Sequence, residues 1–549
     1  MVTPRRQSPS EDPSSCRHGD KPPIEIPFQL MRTAVFFRLG LLLAMAISCH
    51  LIPDHNPGDD VLRFDLRLDF SDSGNLNPCF CLSGFACDSA APHQPDHPQK
   101  TTKRDPECAK SPRLVFDPQS YAASVYRFFL SPVTKWDAAR FLTLAAKPSV
   151  RDPEREPSFA DDPFTQSEQA HAFFPLFPWC IRTFSNLLTE ILPSSLLPPT
   201  YEATLALSAV ILNSICFLLT VLGLYNLSIR LFQPHYATLI CRLFIFNPAS
   251  VFFATAYSES LFAMLTFWGH ALAARGRLEL AVLLPWTLAT LCRSNGTIHS
   301  AYILLLGLGR LLLCGWNNRF RAVGTLMYHF ILASIVALPL RIHDILGYNR
   351  HCLFSGYPYN NLNSPALPEW CSSPSGLFSL YGYTQKKHWN VGFLRYYEWK
   401  QVPNFMLAAP VLAIGLYGAA SWIAASMADF RKGEKPSTLW NILQWALTSL
   451  RRFASPFNST ATTSTSQSLV DNPLLLGHYA VLAATCLIGL FLAHVQISTR
   501  MIFSTCPAIY FFLADCMIRT PRASHAIKFY CCLYIVLGVI LHVNFLPWT

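Results

Sequence analysis

Charged side chains are scarce: Asp, Glu, Lys and Arg make up only 14% of the 549 residues. A chain of this length with so little charge is a poor candidate for a soluble globular protein, where about 25% is usual. Acidic groups are the scarcer, 33 against 43 basic ones, and the formal net charge is +10. The excess does not gather into a basic run. It is spread through loops between apolar stretches, which argues against nucleic-acid binding and fits charge that sets membrane topology. A paired CxxC motif with suitable histidines is missing, so no zinc site is expected. Also missing is the small-residue cleavage site of a secretory leader. The first apolar stretch, 33–52, follows a polar start carrying Arg5, Arg6, Arg17, Lys21 and Arg32, and reads as a signal anchor with a cytosolic N-terminus. No internal repeat at solenoid spacing and no inverted halves are found.

What the chain has instead is apolar surface. Hydrophobic residues reach 51%, aromatics 13%, and mean hydropathy is +0.27. A spanning helix needs about 20 mostly apolar residues. The stretches here are continuous rather than alternating, so the fold class is all-α and polytopic, not a barrel. About eleven segments qualify: 33–52, 203–227, 236–257, 261–274, 278–291, 298–315, 322–342, 404–427, 473–497, 501–517 and 526–545. The half-apolar 173–192, with its prolines, Arg182 and Glu190, reads as an interfacial helix. Counted this way the short cytosolic loops hold Arg230, Arg275, Arg277, Arg319, Arg321, Arg519, Arg522 and Lys528. That satisfies the positive-inside rule.

The resulting organisation is a disordered cytosolic segment 1–32 followed by a transmembrane domain 33–549. Within it lie a first lumenal loop 53–202, a second large lumenal loop 343–403 and a cytosolic insertion 428–472 with a Ser/Thr tract at 455–468. The 18 cysteines divide between apolar spans (Cys216, Cys486, Cys531, Cys532), where they serve as small hydrophobes, and two loops. One loop holds Cys79, Cys81, Cys87 and Cys108, the other Cys352 and Cys371. Disulfides there would fit an oxidising lumen.

The polar features unlike linker fall on the lumenal side. Foremost is Lys135-Trp136-Asp137. A carboxylate at a membrane face can act as general base on a sugar hydroxyl, with the tryptophan anchoring the loop or stacking on a sugar ring. The bland alternative is a solvated loop acid beside an interfacial tryptophan. Glu168 is a second acid of the same loop, suited to orienting an acceptor, or simply solvated. Glu259 follows Asn247-Pro248, a helix-kinking pair, and either meets a substrate hydroxyl or belongs to a helix start capped by Ser258. Arg293 and Asn295 offer a cation and an amide, suited to a phosphate leaving group or to snorkelling at the interface. Trp389, Asn390 and Arg395 lie in an aromatic-rich stretch, and His494, Gln496 and Arg500 form a further polar group. The aromatic-rich stretch has an interfacial-belt reading beside the binding one.

Taken in order, these motifs resemble the PIG-V family of dolichol-phosphate-mannose-dependent transferases. The resemblance rests on Trp136-Asp137, on Ala172 through Pro178, on Asn247 through Phe262, and on Arg293 through Gly296. It continues in Trp389 through Tyr397, Pro403-Asn404-Phe405, His494-Val495-Gln496 with Arg500, and Pro547-Trp548-Thr549. It implies a GT-C fold of about eleven transmembrane helices in the endoplasmic reticulum membrane. Such an enzyme would use dolichol-phosphate mannose to add the second mannose of a glycosylphosphatidylinositol (GPI) precursor in α1,6 linkage, inverting the anomeric centre. Asp137 would be the base; Trp136, Glu168, Glu259, Arg293, Asn295, Trp389, Asn390, Arg395, His494, Gln496 and Arg500 would bind substrate. No cofactor or metal is implied, and a small membrane subunit is the usual partner. Two departures stand out. Arg140 replaces the His or aromatic residue common three positions after the acid, and an insertion at 146–166 separates Asp137 from Glu168. A related transferase acting on another lipid-linked glycan, a transporter and a scaffold are the rival readings.

Overall fold

The computed structural model of the chain describes residues 25–52, 118–146, 163–314, 319–353, 369–371, 380–430, 439–455, 472, 474–546 and 548. The four loop cysteines Cys79, Cys81, Cys87 and Cys108, residues 1–24 and the tract 456–468 lie outside them. Among the described residues no β-strand forms. The helices are α1 (Glu25–Leu51), α2 (Pro118–Leu130), α3 (Asp137–Ala145), α4 (Pro163–Gln166), α5 (Leu176–Ile191), α6 (Tyr201–Leu231), α7 (Pro234–Ile245), α8 (Ser250–Ala254), α9 (Glu259–Ala273) and α10 (Leu278–Ala281). They continue with α11 (Thr287–Cys292), α12 (Ile298–Cys314), α13 (Arg319–Tyr348), α14 (Leu380–Trp389), α15 (Val402–Phe430), α16 (Leu439–Ala454), α17 (Leu475–Phe491), α18 (Ser498–Thr505), α19 (Pro507–Arg519) and α20 (Pro521–Val543).

Local chemistry sets the helix boundaries. Thr200 caps α6, its hydroxyl accepting from the Ala203 N–H at 3.2 Å, with Glu202 in the first turn and Arg230 in the last, each matching the helix dipole. Pro234, Pro507 and Pro521 open their helices, where a missing N–H costs nothing.

Six helical stretches are long and apolar enough to cross a membrane, and a seventh arises if a bent pair counts as one span. The eleven expected segments are therefore not eleven complete straight spans. Segment 236–257 is divided between α7 and α8. Asn247 turns the chain there, its Nδ2 donating to Phe244 O at 2.7 Å and its Oδ1 accepting from the Ala249 N–H at 2.8 Å. Segment 501–517 bends by 81° between α18 and α19, where Pro507 cannot continue the hydrogen-bond ladder. Segment 278–291 is three short pieces, α10, a π-turn holding Pro285, and α11. The expected interfacial stretch contains α5, with Trp179 and Leu187 exposed on one side and Phe177 and Ile181 buried on the other. Helix α1 starts at Glu25, upstream of the apolar stretch expected from residue 33.

A single apolar core links α1, α3, α5 to α9, α12, α15 and α17 to α20. Within it Arg38 of α1 is 4% exposed. Its guanidinium donates to the carbonyl of Phe253 and to Ser214 Oγ, and lies over the Phe217 ring. One cation thus ties α1 to α6 and to the end of α8.

Cys352 and Cys371 form a disulfide across 19 residues. A loop of that size is worth about 3 kcal/mol in the chain-entropy account. The Cys352→Ser, Cys371→Ser double variant should unfold at measurably lower denaturant than the parent. Reductant should shift the parent toward the variant and leave the variant unmoved.

Candidate active site

The site begins with the way Asp137 is held. It is the first residue of α3, where the helix dipole favours an anion. Trp136 before it has φ 60°, a backbone region rarely used by a bulky side chain. Two bonds impose that conformation. Trp136 Nε1 donates to His542 O at 3.0 Å, and Lys135 Nζ donates to Val543 O at 2.6 Å. Both carbonyls belong to the last turn of α20, which lacks intrahelical donors and welcomes a cation. Lys135 is 1% exposed and also lies 4.7 Å from the Phe545 ring centroid. The far end of α3 is fixed too. Arg182 of α5 donates through Nε to Ala145 O at 2.7 Å, and through Nη2 to Leu144 O and Ala146 O at 2.9 and 2.7 Å. These bonds satisfy the open carbonyls of the C-terminal turn. The arginine read as an interfacial feature is therefore a helix cap.

Four charges alternate from Asp137 inward. Asp137 Oδ2 accepts from Arg500 Nη2 at 2.9 Å; Arg500 Nη1 reaches Glu259 Oε1 at 3.4 Å; Glu259 Oε1 accepts from Arg293 Nη1 at 2.6 Å. Exposure falls as far as Glu259 and rises again to 17% at Arg293. The Asp137 side chain is 23% exposed, that of Arg500 8%, and that of Glu259 0%. The Arg500 guanidinium packs over the rings of Tyr257 and Phe252. The Tyr257 hydroxyl accepts from the Asp137 N–H at 3.3 Å, and Arg293 also donates to Ser258 Oγ at 3.1 Å. Asp137 Oδ1 makes no hydrogen bond among the described residues, so one carboxylate oxygen is oriented by Arg500 and the other is left open.

The turn 293–297 has its own requirement. A Cβ at Gly296 would come within 2.4 Å of the Thr290 backbone nitrogen, so only glycine lets the turn fold back on α11. This places Arg293 toward Glu259 and lets Asn295 Nδ2 donate to Thr505 Oγ1 at 2.9 Å, next to the α18–α19 bend. Ser294 and Tyr381 pair through their hydroxyls at 2.6 Å, bringing α14 to the same edge.

Glu168 lies in a second cluster. One of its oxygens accepts from Trp370 Nε1 at 2.8 Å and the other from Lys387 Nζ at 3.3 Å. It ties the disulfide-bearing segment to α14, and no described contact joins it to Asp137. Close by, His171 and His343 stack at 4.2 Å and bond reciprocally: His171 Nε2 with His343 O at 3.0 Å, His343 Nε2 with His171 O at 2.8 Å. Burial, with the neighbouring His343 ring, lowers the His171 pKa to about 4. A histidine with a depressed folded pKa stabilises fully above its unfolded value near 6.5 and loses that contribution as pH falls through about 4. Acidification from pH 6.5 to 4 should therefore loosen the 168–172 turn from α13. Hydrogen exchange at 168–174 should rise across that window in the parent, and a His171→Gln variant should show a smaller pH step.

The remaining expected binders form a rim. The turn at 390–395 sits on the end of α17, with the Gly392 N–H donating to Leu492 O at 3.1 Å and Leu394 N–H to Phe491 O at 2.8 Å. Asn390, φ 51°, closes this turn on itself, its Nδ2 meeting Arg395 O and Glu398 Oε1. Arg395 is exposed, Trp389 meets Phe173 edge to face, and His494 packs 4.2 Å from the Tyr396 ring. Gln496 is half-buried in the turn Val495–Ile497 that leads to Arg500. The structure thus joins Asp137, Glu259, Arg293 and Arg500, sets Asn295 beside them, and groups Trp389, Asn390, Arg395, His494 and Gln496 on adjoining turns. Sequence reasoning quoted Lys135, Phe252 and Tyr257 within its motifs without giving any of them a role, and it missed His542. Lys135 had one available signal: a lysine directly preceding Trp-Asp in so charge-poor a chain.

Fold and site together define a multi-pass membrane protein with a carboxylate–guanidinium centre at one end of its helix bundle, the arrangement of an enzyme handling a lipid-borne substrate. Residues 103–549 match the family described as Mannosyltransferase (PIG-V). The chain belongs to that family and is a glycosyltransferase. It is 28% identical to the human GPI alpha-1,6-mannosyltransferase 2 over 502 residues, covering 81% of this chain and 92% of that protein. It is 29% identical to GPI mannosyltransferase 2 of Drosophila pseudoobscura pseudoobscura, over 76% of this chain and 87% of that protein. GPI mannosyltransferase 2 of Yarrowia lipolytica is 28% identical over 62% of this chain and 75% of its own length. No solved structure matches.

Proposed function

We propose that this chain transfers mannose from dolichol-phosphate mannose to the 6-hydroxyl of the first mannose on a glucosaminyl-phosphatidylinositol. The reaction adds the second mannose of a GPI precursor in α1,6 linkage. The observation that carries the mechanism is Asp137, with Oδ2 bound by Arg500 and Oδ1 open. The acceptor oxygen attacks the anomeric carbon as its proton passes to Asp137 Oδ1. The bond between that carbon and the phosphate oxygen breaks, and its electron pair leaves with dolichyl phosphate. A single displacement inverts configuration and forms no covalent enzyme intermediate. The departing phosphate is already an anion and calls for cations, not a general acid. Arg500 and Arg293 stand nearest, and Arg395 waits on the rim. Glu259 positions both arginines. Trp136, Glu168, Asn295, Trp389, Asn390, His494 and Gln496 complete the substrate-binding set.

The reading places the enzyme in the endoplasmic reticulum membrane with a cytosolic N-terminus and the Asp137 end in the lumen. It also includes a small membrane subunit as partner. The test uses cells lacking their own second GPI mannosyltransferase. Expression of this chain with a matched subunit should convert the accumulated one-mannose lipid to the two-mannose form, and Asp137→Asn should not. Persistence of the one-mannose lipid despite good expression would overturn the acceptor assignment and favour another lipid-linked glycan.

A further inference from the structure

The end of α1 remote from the active site carries a second polar feature. A cavity of about 330 Å³ opens between α1 and α7, lined by Arg32, Gln29, Thr33, Thr238 and Arg242 against Ile26, Leu30 and Phe36. Both arginines are exposed, and among the described residues neither guanidinium has a hydrogen bond or an ion pair; Arg32 only lies near the Phe36 ring. Two unneutralised cations sharing one groove repel each other unless an anion sits between them.

Position identifies the anion's source. Arg32 lies four residues from Phe28 and four from Phe36, both strongly exposed (68% and 62%), so the cation occupies the outward face of a spanning helix. The span Ile26–Leu51 has 26 residues, about 39 Å of helix against a hydrocarbon core of about 30 Å. The surplus of about 9 Å equals the rise from Ile26 to Arg32, which sets Arg32 at headgroup level. The other end of α1 reaches the active-site end of the bundle, where Ser48 accepts from Asn544 and Cys49 from Lys135. About 24 Å of helix separates Arg32 from Ser48, so the cavity opens on the opposite leaflet. The Phe37 ring packs on Phe246 one turn along, holding the two cation-bearing helices in register.

We infer that the α1–α7 groove is a binding site for the phosphate of an anionic phospholipid in the leaflet opposite the active site. Arg32 and Arg242 engage the phosphate oxygens, Thr33 and Thr238 line the groove with hydroxyls that donate to the Gln29 and Pro234 carbonyls, and Ile26, Leu30 and Phe36 receive the first acyl carbons. Basic pockets between membrane helices recognise lipid headgroups in this way. The inference does not rest on the glycosyl-transfer reading, because the groove shares no residue with that site.

The experiment measures thermal unfolding of the purified full-length protein in neutral detergent, titrated with phosphatidylglycerol, phosphatidylcholine or inorganic phosphate. Phosphatidylglycerol should raise the unfolding midpoint at low mole fraction, and phosphatidylcholine and inorganic phosphate should not. In R32Q/R242Q the half-saturating phosphatidylglycerol should rise roughly thirtyfold, about fivefold per cation. R32K/R242K should keep most of the response. Should R32Q/R242Q fail to fold, Thr238→Trp, which fills the groove and leaves both cations, should abolish the response. An unchanged titration in R32Q/R242Q or in Thr238→Trp would overturn the site. So would equal protection by phosphatidylcholine, and equal protection by inorganic phosphate would replace the lipid with a free anion.

Discussion

Asp137→Asn should yield a folded, membrane-inserted protein whose transfer rate is lower by about a hundredfold to ten-thousandfold, the range a positioned general base contributes. Asparagine preserves the shape of the side chain, its place at the start of α3, and an oxygen that accepts from Arg500 Nη2. It removes only the ability to take a proton. The loss should therefore fall on the chemical step, with donor and acceptor affinities little changed. Single-turnover transfer in membranes normalised to protein amount separates the two. A rate within about threefold of the parent would rule out Asp137 as the base. Asp137→Ala should be worse in a second way, because Arg500 would then lose one of its two anions.

Glu259→Gln should act mainly on stability. The carboxylate is fully buried and one of its oxygens faces both Arg293 at 2.6 Å and Arg500 at 3.4 Å. Neutralising it leaves Asp137 as the one anion in the described ion-pair chain for two guanidinia, and that anion touches only Arg500. Breaking a buried pair by removing one partner costs about 3–5 kcal/mol, far more than the net worth of the pair. Denaturant unfolding in detergent should show a loss of that order. Adding Arg293→Gln should recover part of it, since the second change removes the stranded charge. Double-mutant coupling between Glu259 and Arg293 would then be strong. A destabilisation under about 1 kcal/mol would show that water solvates the pocket and that the pairing is incidental.

Much of this site could be named from the chain but not assembled from it. Asp137, Glu259, Arg293 and Arg500 each stood out because ionisable groups are rare in so apolar a sequence. Their pairing was hidden, since 363 residues separate Asp137 from Arg500 and no local pattern encodes such a contact. Glu168 looked like a companion to Asp137 through loop proximity alone. In the fold its carboxylate accepts from Trp370 and Lys387, residues more than 200 positions away. Lys135 carried no role in the sequence because its partners, the open carbonyls at the end of α20 that draw it inside, lie more than 400 residues away. The all-helical class was legible because hydropathy averaged over a window reports burial well. The same averaging conceals breaks made by apolar or small residues. Cys506-Pro507 turns the chain by 81° inside a pair of helices that together read as one span, whereas Asn247-Pro248 was legible as a helix-kinking pair.

The dependence of the Trp136-Asp137 turn on α20 carries a consequence for biosynthesis. Trp136 and Lys135 are pinned by carbonyls more than 400 residues later in the chain. Arg500, which orients the acid, is itself made 363 residues after it. At about 5–20 residues per second, roughly 20 to 70 s pass between synthesis of the acid and of its arginine. Throughout that interval the nascent protein holds a carboxylate at the membrane with no cation to orient it and no clamp on the strained backbone before it. On the proposed base role of Asp137, catalytic competence arrives only as the final helix docks, and an arrested or truncated translation product should be inactive in the transfer assay.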